Sequence, residues 1–212
     1  MKDVVTPDSV VINLAVKPVI KSVSGPALID YIPALARLRI EIFRDFPYLY
    51  DGTLEYEEKY LRTYSECPEA VIVLALDNDR VVGASTAIPM RYETDAFKRP
   101  LQENGYDIDR VFYCGESVLQ KDYRGKGLGW RFFEAREAHA QTLGGFDYSC
   151  FCAVDRPVDH PRRPADYTPL DSLWQKRGYA KHPELVAHYC WKDLDESDET
   201  EKPMIYWIKK FI

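Results

Sequence analysis

The run Arg124-Gly125-Lys126-Gly127-Leu128-Gly129 constrains this 212-residue chain more than any other feature. Upstream, Arg110 to Leu119 (RVFYCGESVL) reads as a mostly buried strand, rich in β-branched and aromatic residues. Downstream, Trp130 to Thr142 reads as a helix stopped by Gly144 and Gly145. Glycines between them permit positive φ and present no Cβ, so backbone N–H groups can converge on a ligand. Those donors lie at a helix N-terminus, where partial positive charge gathers; Lys121, Arg124, Lys126 and Arg131 add full charges. The segment suits a diphosphate-like anion.

Three phosphate-binding patterns compete for it. A Walker A loop needs a hydroxyl after its lysine, and Lys126 is followed by Gly127-Leu128. A dinucleotide fingerprint needs G-x-G-x-x-G directly after a strand, and Gly125-x-Gly127-x-Gly129 has the wrong spacing. The pattern [QR]-x-x-G-x-[GA] is met by Arg124-x-x-Gly127-x-Gly129. Its wider setting, VLQKDYRGKGLGWRFFEAREAHA, resembles the acetyl-CoA-binding motif of the GNAT superfamily of N-acetyltransferases. Further on, Leu173 to Tyr179 (LWQKRGY) resembles that family's aromatic-x-x-x-Gly-aromatic helix ending. The order of elements fits from about Lys17 onward, although only the central motif is specific.

The resemblance implies direct attack of an amine on the thioester of acetyl-CoA. It implies cofactor binding by Arg124, Gly125, Lys126, Gly127, Leu128 and Gly129, with the backbone of Val118 and Leu119 pairing with pantetheine. Glu116 is the candidate general base. A carboxylate in an otherwise apolar strand is costly unless partnered or needed, and burial would raise its pKa towards a useful range. The alternative is a structural carboxylate that pairs with a buried arginine or caps a neighbouring strand. Gly115 beside it would mark a bulge or a close approach of the cofactor. The family often places its general acid, a tyrosine, where this chain has Trp174, and indole cannot protonate a thiolate. Tyr167 is the candidate in its place, with Tyr179, Cys152 and unaided departure of the thiolate as alternatives.

By the same analogy Tyr48, Tyr50 and Asp51 lie at the acceptor mouth, an aromatic setting with one acid that suits a cationic amine. Equally, these aromatics would cover the core edge. His160, Arg162, Arg163 and Asp166 belong to a polar, proline-rich excursion over 155–169 that is either a lid or a solvated loop. His139 is expected as a hydrogen-bonded core histidine, and Arg136 and Glu137 in surface or inter-element pairs.

A net charge of −6 and pI near 5.3 argue against nucleic acid as the main partner. The apolar run Val10 to Val16 is too short to span a bilayer, so no membrane partner is expected and a cytoplasmic location is the default. Five cysteines form no CxxC pair and suit reduced, buried thiols; Cys150 and Cys152 should share one strand face, and no metal site is expected.

Residues 1–16 read as a tail or an extra edge strand, and 17–212 as one domain. Val19 to Val23 is a strand, followed by a helical region to about Arg44 broken at Pro33, and a helix over Leu54 to Thr63. Ala70 to Leu76 and Arg80 to Met90 form a hairpin, and Ala96 to Gln102 a short helix. Phe146 to Val154, Leu185 to Trp191 and Pro203 to Phe211 are strands, with a helix over Leu170 to Lys176 and a solvated acidic turn at Asp193 to Glu201. The alternation predicts an α/β fold, a mixed sheet with helices on both faces. The family resemblance sharpens this to a single-domain GNAT-like fold whose central sheet is splayed in the middle.

The expected function is acetyl transfer from acetyl-CoA to a primary amine of a small-molecule or peptide acceptor. The alternatives are a non-catalytic acyl-CoA-binding sensor and a transferase for longer acyl groups. A homodimer is allowed by the sequence and not required by it.

Overall fold

The computed structural model describes residues 18–211; the N-terminal tail or edge strand expected over 1–16 lies outside them. Eight strands form one mixed sheet in the order β1-β2-β3-β4-β6-β8-β7, with β5 beside β3. They are β1 (Val19–Val23), β2 (Val71–Asp77), β3 (Arg80–Pro89), β4 (Val111–Tyr113), β5 (Ser117–Leu119), β6 (Tyr148–Val154), β7 (Ala180–Trp191) and β8 (Thr200–Lys210). Only β4 and β6 pair in parallel; the other pairs are antiparallel.

Helices cover both faces, as expected. On one face lie α1 (Ile32–Phe43), α2 (Leu54–Glu66) and α3 (Asp95–Glu103), which bury Leu35, Leu61 and Leu101 with Ile72, Leu74 and Tyr206 of the sheet. On the other lie α4 (Leu128–Leu143) and α5 (Asp171–Lys176), which pack Phe132, Phe133 and Trp174 against Val73, Phe151 and Trp207. Leu28, Ile32 and Leu35, which recur at helical spacing, are buried in the core of this face, while Ile42 and Phe46 are only partly buried. Pro33 marks the break, with a 3-10 segment over Gly25–Tyr31 before α1.

Three expectations change. Strand 110–119 is two short strands, with residues 114–116 between them. The last hairpin begins earlier than Leu185, at Ala180, because a register shift between His182 and Val186 hides its first part from a period-2 pattern. The acidic turn is not wholly solvated: Asp193 is buried and pairs with Arg156 at 2.8 Å.

On α4, His139 is half-buried and its Nε2 lies 3.0 Å from the Glu69 carbonyl. Arg136 and Glu137 are buried rather than at the surface. Glu137 accepts from Arg177 and Lys209, both at 2.8 Å, and so ties α4 to the end of α5 and to β8.

Candidate active site

The site begins where the sheet divides. β4 and β6 run side by side to Tyr113 and Cys150, and the last link across them is Cys114 N–H to the Cys150 carbonyl at 2.8 Å. Beyond it the chain turns to β3 alone. Gly115 N–H donates to the Thr86 carbonyl (3.1 Å), Thr86 N–H to the Glu116 carbonyl (3.0 Å), and Glu116 N–H to the Thr86 hydroxyl (3.2 Å). Two residues opposing one make a β-bulge, which bends β5 away from β6 and opens a fork.

Arg136, buried on α4, supports the bulge from the opposite face by donating to the Glu116 carbonyl at 3.3 Å. Gly115 is required there. A Cβ would lie 2.5 Å from the Tyr64 hydroxyl and 2.7 Å from the Thr86 hydroxyl oxygen. The close approach is therefore made by α2 and β3, not by a cofactor.

Glu116 stands at the apex of the fork, but not in apolar surroundings. The buried guanidinium of Arg39 pairs with its Oε1, and through Nε with Glu57 of α2. The Tyr60 hydroxyl donates to Glu116 Oε2 at 3.3 Å and lies 2.9 Å from the Tyr64 hydroxyl. The ring of Tyr60 also stacks under Arg39, 4.4 Å from the guanidinium carbon. This pairing with a buried arginine is the alternative environment weighed from sequence, and it corrects the apolar one. Arg39, Glu57, Tyr60 and Tyr64 are site neighbours that no sequence motif singles out. Their signal is spacing: Glu57, Leu61 and Tyr64 share one helical face, and Arg39 sits among Leu35, Ala36 and Leu38.

At the end of β5 the glycine run forms an open cradle. Gly125 and Gly127 have φ of 72° and 80°, and a Cβ on Gly125, Gly127 or Gly129 would meet nothing within 4 Å. Arg131 N–H donates to the Gly127 carbonyl at 3.2 Å, so the amides of residues 128–130, in the first turn of α4, have no helical acceptor. Arg124, Lys126 and Arg131 are exposed around these donors, whereas Leu128 is buried and anchors the helix. Tyr123 pins the loop to the hairpin turn by donating to Asp77 and accepting from Arg80 at 2.9 Å.

Two cradle details refine the expected roles. Arg124 folds back so that its Nε donates to the Leu119 carbonyl at 3.0 Å. The bonds at Glu116–Thr86 and Gln120–Val82 alternate along the β5–β3 ladder. That alternation commits the backbone groups of Val118 to β3 and turns those of Ser117 and Leu119 to the fork. Val118, expected to pair with pantetheine, thus has its backbone groups turned to β3, and those facing the fork belong to Ser117 and Leu119.

The acceptor-side loop is held from behind. Arg156, the second residue of the excursion, donates to the carbonyls of Pro47 and Tyr48, each at 2.9 Å, while pairing with Asp193. The Tyr48 ring packs 4.6 Å from Phe43. Burial, then the nearby Cys152 and Glu116, push its phenol up. Burial and the neighbouring Glu57 carboxylate likewise push Tyr50 up. Asp51 is not a free acid for a cationic amine: Lys192 lies 2.8 Å away and Arg44 3.4 Å.

The excursion itself lies over this loop. Tyr167 meets Phe46 edge to face at 4.7 Å, and Arg163 stacks on Tyr167 at 4.8 Å. Trp174 is packed 5.0 Å from both Phe151 and Trp207 and presents no hydroxyl. Cys150 and Cys152 are both buried on the fork side of β6, whereas Cys190 is exposed, contrary to the expectation of buried thiols. Among the described residues no helix is long and apolar enough to cross a membrane.

A model of the acetyltransferase (GNAT) family matches residues 35–164. No curated protein sequence matches the chain. Solved structures share the fold. An acetyltransferase from Thermus thermophilus is 14% identical with a TM-score of 0.56, over 93% of this chain and 99% of that one. A ribosomal-protein-alanine N-acetyltransferase from Brucella melitensis is 12% identical with a TM-score of 0.59, over 91% and 99%. An aminoglycoside 6'-N-acetyltransferase complexed with coenzyme A is 19% identical with a TM-score of 0.54, over 92% and 97%.

Proposed function

The chain belongs to the acetyltransferase (GNAT) family, and from that membership we propose that it transfers an acetyl group from acetyl-CoA to the primary amine of a small molecule by direct attack. When bound, acetyl-CoA supplies an activated thioester carbon. The observation that carries the reading is the pairing of two features at the ends of β5: a fork opened by the bulge at Gly115–Glu116, and a cradle of unpaired amides at the start of α4.

The cradle suits the paired phosphates of coenzyme A, because first-turn amides and the exposed Arg124, Lys126 and Arg131 meet them with donors and charge. The fork-facing N–H groups of Ser117 and Leu119 suit pantetheine and the thioester oxygen. One well-placed oxyanion donor is worth roughly 3 kcal/mol. Glu116 keeps Oε2, beside the Tyr60 hydroxyl, to orient an incoming ammonium while Arg39 fixes its other oxygen. Tyr48 and Tyr50 wall the acceptor side. Tyr167 is assigned the proton for the departing thiolate, since burial raises its phenol and keeps it protonated. A small acceptor fits best, because Arg156 and the excursion back the Phe46–Asp51 loop and close that side.

Calorimetry with coenzyme A, followed by thiol release from acetyl-CoA against a panel of primary amines, tests the reading. Binding with turnover supports it. Binding without turnover favours a sensor, to which the absence of a hydroxyl at Trp174 points, and no binding removes the acyl-transfer account. Faster thiol release from longer acyl-CoAs would reassign the donor.

A further inference from the structure

Resting on the transferase reading, we infer that the buried Arg136 is a positioning residue for acyl transfer. It polarises the Glu116–Ser117 peptide and so makes the Ser117 N–H the fork's strongest donor towards the thioester oxygen. Arg136 lies on α4, is 2% exposed, and its guanidinium stacks 4.7 Å from the Phe133 ring. Among the described residues it forms no ion pair: the adjacent Glu137 is held by Arg177 and Lys209, and the Arg136 Nε has no hydrogen-bond partner. A full positive charge is thus held inside the protein without a carboxylate, an arrangement that costs stability.

What the charge meets is one crowded peptide. The Glu116 carbonyl oxygen accepts from three donors: Thr86 N–H at 3.0 Å, the Ser85 hydroxyl at 3.0 Å and Arg136 Nη1 at 3.3 Å. The Ser117 hydroxyl lies 2.9 Å from that of Ser85, so it can donate to Ser85 while Ser85 donates to the carbonyl. Arg136 also reaches the Thr86 carbonyl at 3.5 Å, which already accepts from Gly115 N–H. Neither carbonyl depends on Arg136 for a partner. Hydrogen-bond satisfaction at the bulge therefore does not account for the guanidinium.

The polarisation has a direction. Donors at a carbonyl oxygen draw charge through the planar C–N bond and strengthen the N–H at its other end. That N–H belongs to Ser117. The β5–β3 alternation turns it to the fork, and β5 pairs with no strand on that side. The Leu119 N–H faces the same way, but it shares its peptide with the Val118 carbonyl, which is taken up by the β3 ladder.

As an amine attacks the acetyl carbon, charge moves onto the thioester oxygen, and a donor polarised beforehand needs no rearrangement to receive it. The nitrogen lone pair makes the new bond, the carbon–sulfur pair leaves with sulfur, and the proton that nitrogen loses is matched by the one that sulfur gains. Arg136 exchanges no proton.

Three measurements on the full chain test this. In the first, protein carrying 13C-carbonyl glutamate and 15N-serine gives correlated NMR signals only from Glu116–Ser117 and Glu196–Ser197, which Ser197→Ala tells apart. The Ser117 amide proton should lie further downfield with acetyl-CoA bound than with coenzyme A; an amide indifferent to the acetyl group overturns the assignment. In the second, isotope-edited infrared reads the carbonyl stretch of bound 13C-acetyl-CoA. It should lie below the free value and move back towards it in Arg136→Met, with coenzyme A affinity unchanged. The same variant should lower kcat by about 10-fold or more and leave KM for acetyl-CoA nearly unchanged. In the third, thermal unfolding of Arg136→Met should come no lower than in wild type, because an unpaired buried charge is removed and both carbonyls keep their partners. Arg136→Gln, which keeps a neutral donor, is the second variant should Arg136→Met not fold, and its stretch should also move back. A stretch unchanged in the folded variant returns Arg136 to mere support of the bulge and sinks this inference alone. Absence of any coenzyme A binding sinks the transferase reading, and the role of Arg136 with it.

Discussion

The guanidinium of Arg39 grips the carboxylate of Glu116, and so fastens α1 to the bulge at which β4 and β6 part. Through its Nε the same side chain holds Glu57, joining α2 to the cluster. The pair thus does two jobs. It sets the position of the fork apex, and it makes that position depend on a helix distant in sequence.

Removing the cation should therefore be costly. Arg39→Met leaves Glu57 and Glu116 buried without their cation, and breaking such a cluster by removing one partner costs about 3–5 kcal/mol. Urea unfolding at neutral pH should show this loss. The triple variant Arg39→Met, Glu57→Gln, Glu116→Gln should recover most of it, because no uncompensated charge remains. Equal losses in both variants would mean that packing by the Arg39 side chain, not charge, dominates.

Gly115→Ala tests the bulge by sterics alone. The added methyl meets the Tyr64 and Thr86 hydroxyl oxygens at 2.5 and 2.7 Å, an overpacking that costs about 1–3 kcal/mol. Thermal unfolding should show the loss, and Tyr64→Phe in the same background should recover part of it by deleting the nearest atom. A melting temperature unchanged by Gly115→Ala would mean that the bulge tolerates a side chain.

Much of this architecture could be read from local pattern. β1 has the bounds that its apolar run implies, and the glycine cradle and α4 follow from φ requirements and capping. The fork could be expected only through family resemblance, since no local signal shows where two strands separate. The Arg39–Glu57–Glu116 cluster was out of reach for a related reason. Periodicity puts Arg39 and Glu57 on buried faces but does not say which faces meet.

At the cradle, charge and strain can be separated. Gly127→Ala forces a residue with a Cβ into the left-handed region at φ 80°, where the added atom meets open space. The cost is backbone strain of about 1–2 kcal/mol, visible in unfolding. Gly127→Asp adds a carboxylate beside the unpaired amides and should lower coenzyme A affinity further, on the order of tenfold relative to Gly127→Ala. Calorimetry at low and high salt checks the cause, because screening should narrow the difference between the two variants. A difference insensitive to salt would point to shape instead.

Glu93, directly after the 3-10 turn Met90–Tyr92 that ends β3, has a carboxyl raised by burial, and this makes a prediction about stability that needs no ligand. Its value of about 7 in the folded protein lies above the ordinary 4.5 of an unfolded glutamate, so folding takes up a proton between those values. The protonated form is the one that burial favours. Its contribution is complete below pH 4.5 and is lost as pH rises through about 7, a swing on the order of 3 kcal/mol. Glu196 runs the other way. Burial opposes its charged form, yet the Asp193 N–H and Lys202 hold it down to about 2, so its contribution is lost only in acid. Between pH 5 and 8, then, wild type should lose stability relative to Glu93→Gln, which cannot ionise. Urea midpoints of the two proteins measured across that window give the answer: a gap independent of pH would mean that Glu93 is charged throughout, and that the space around it is wetter than its neighbours imply.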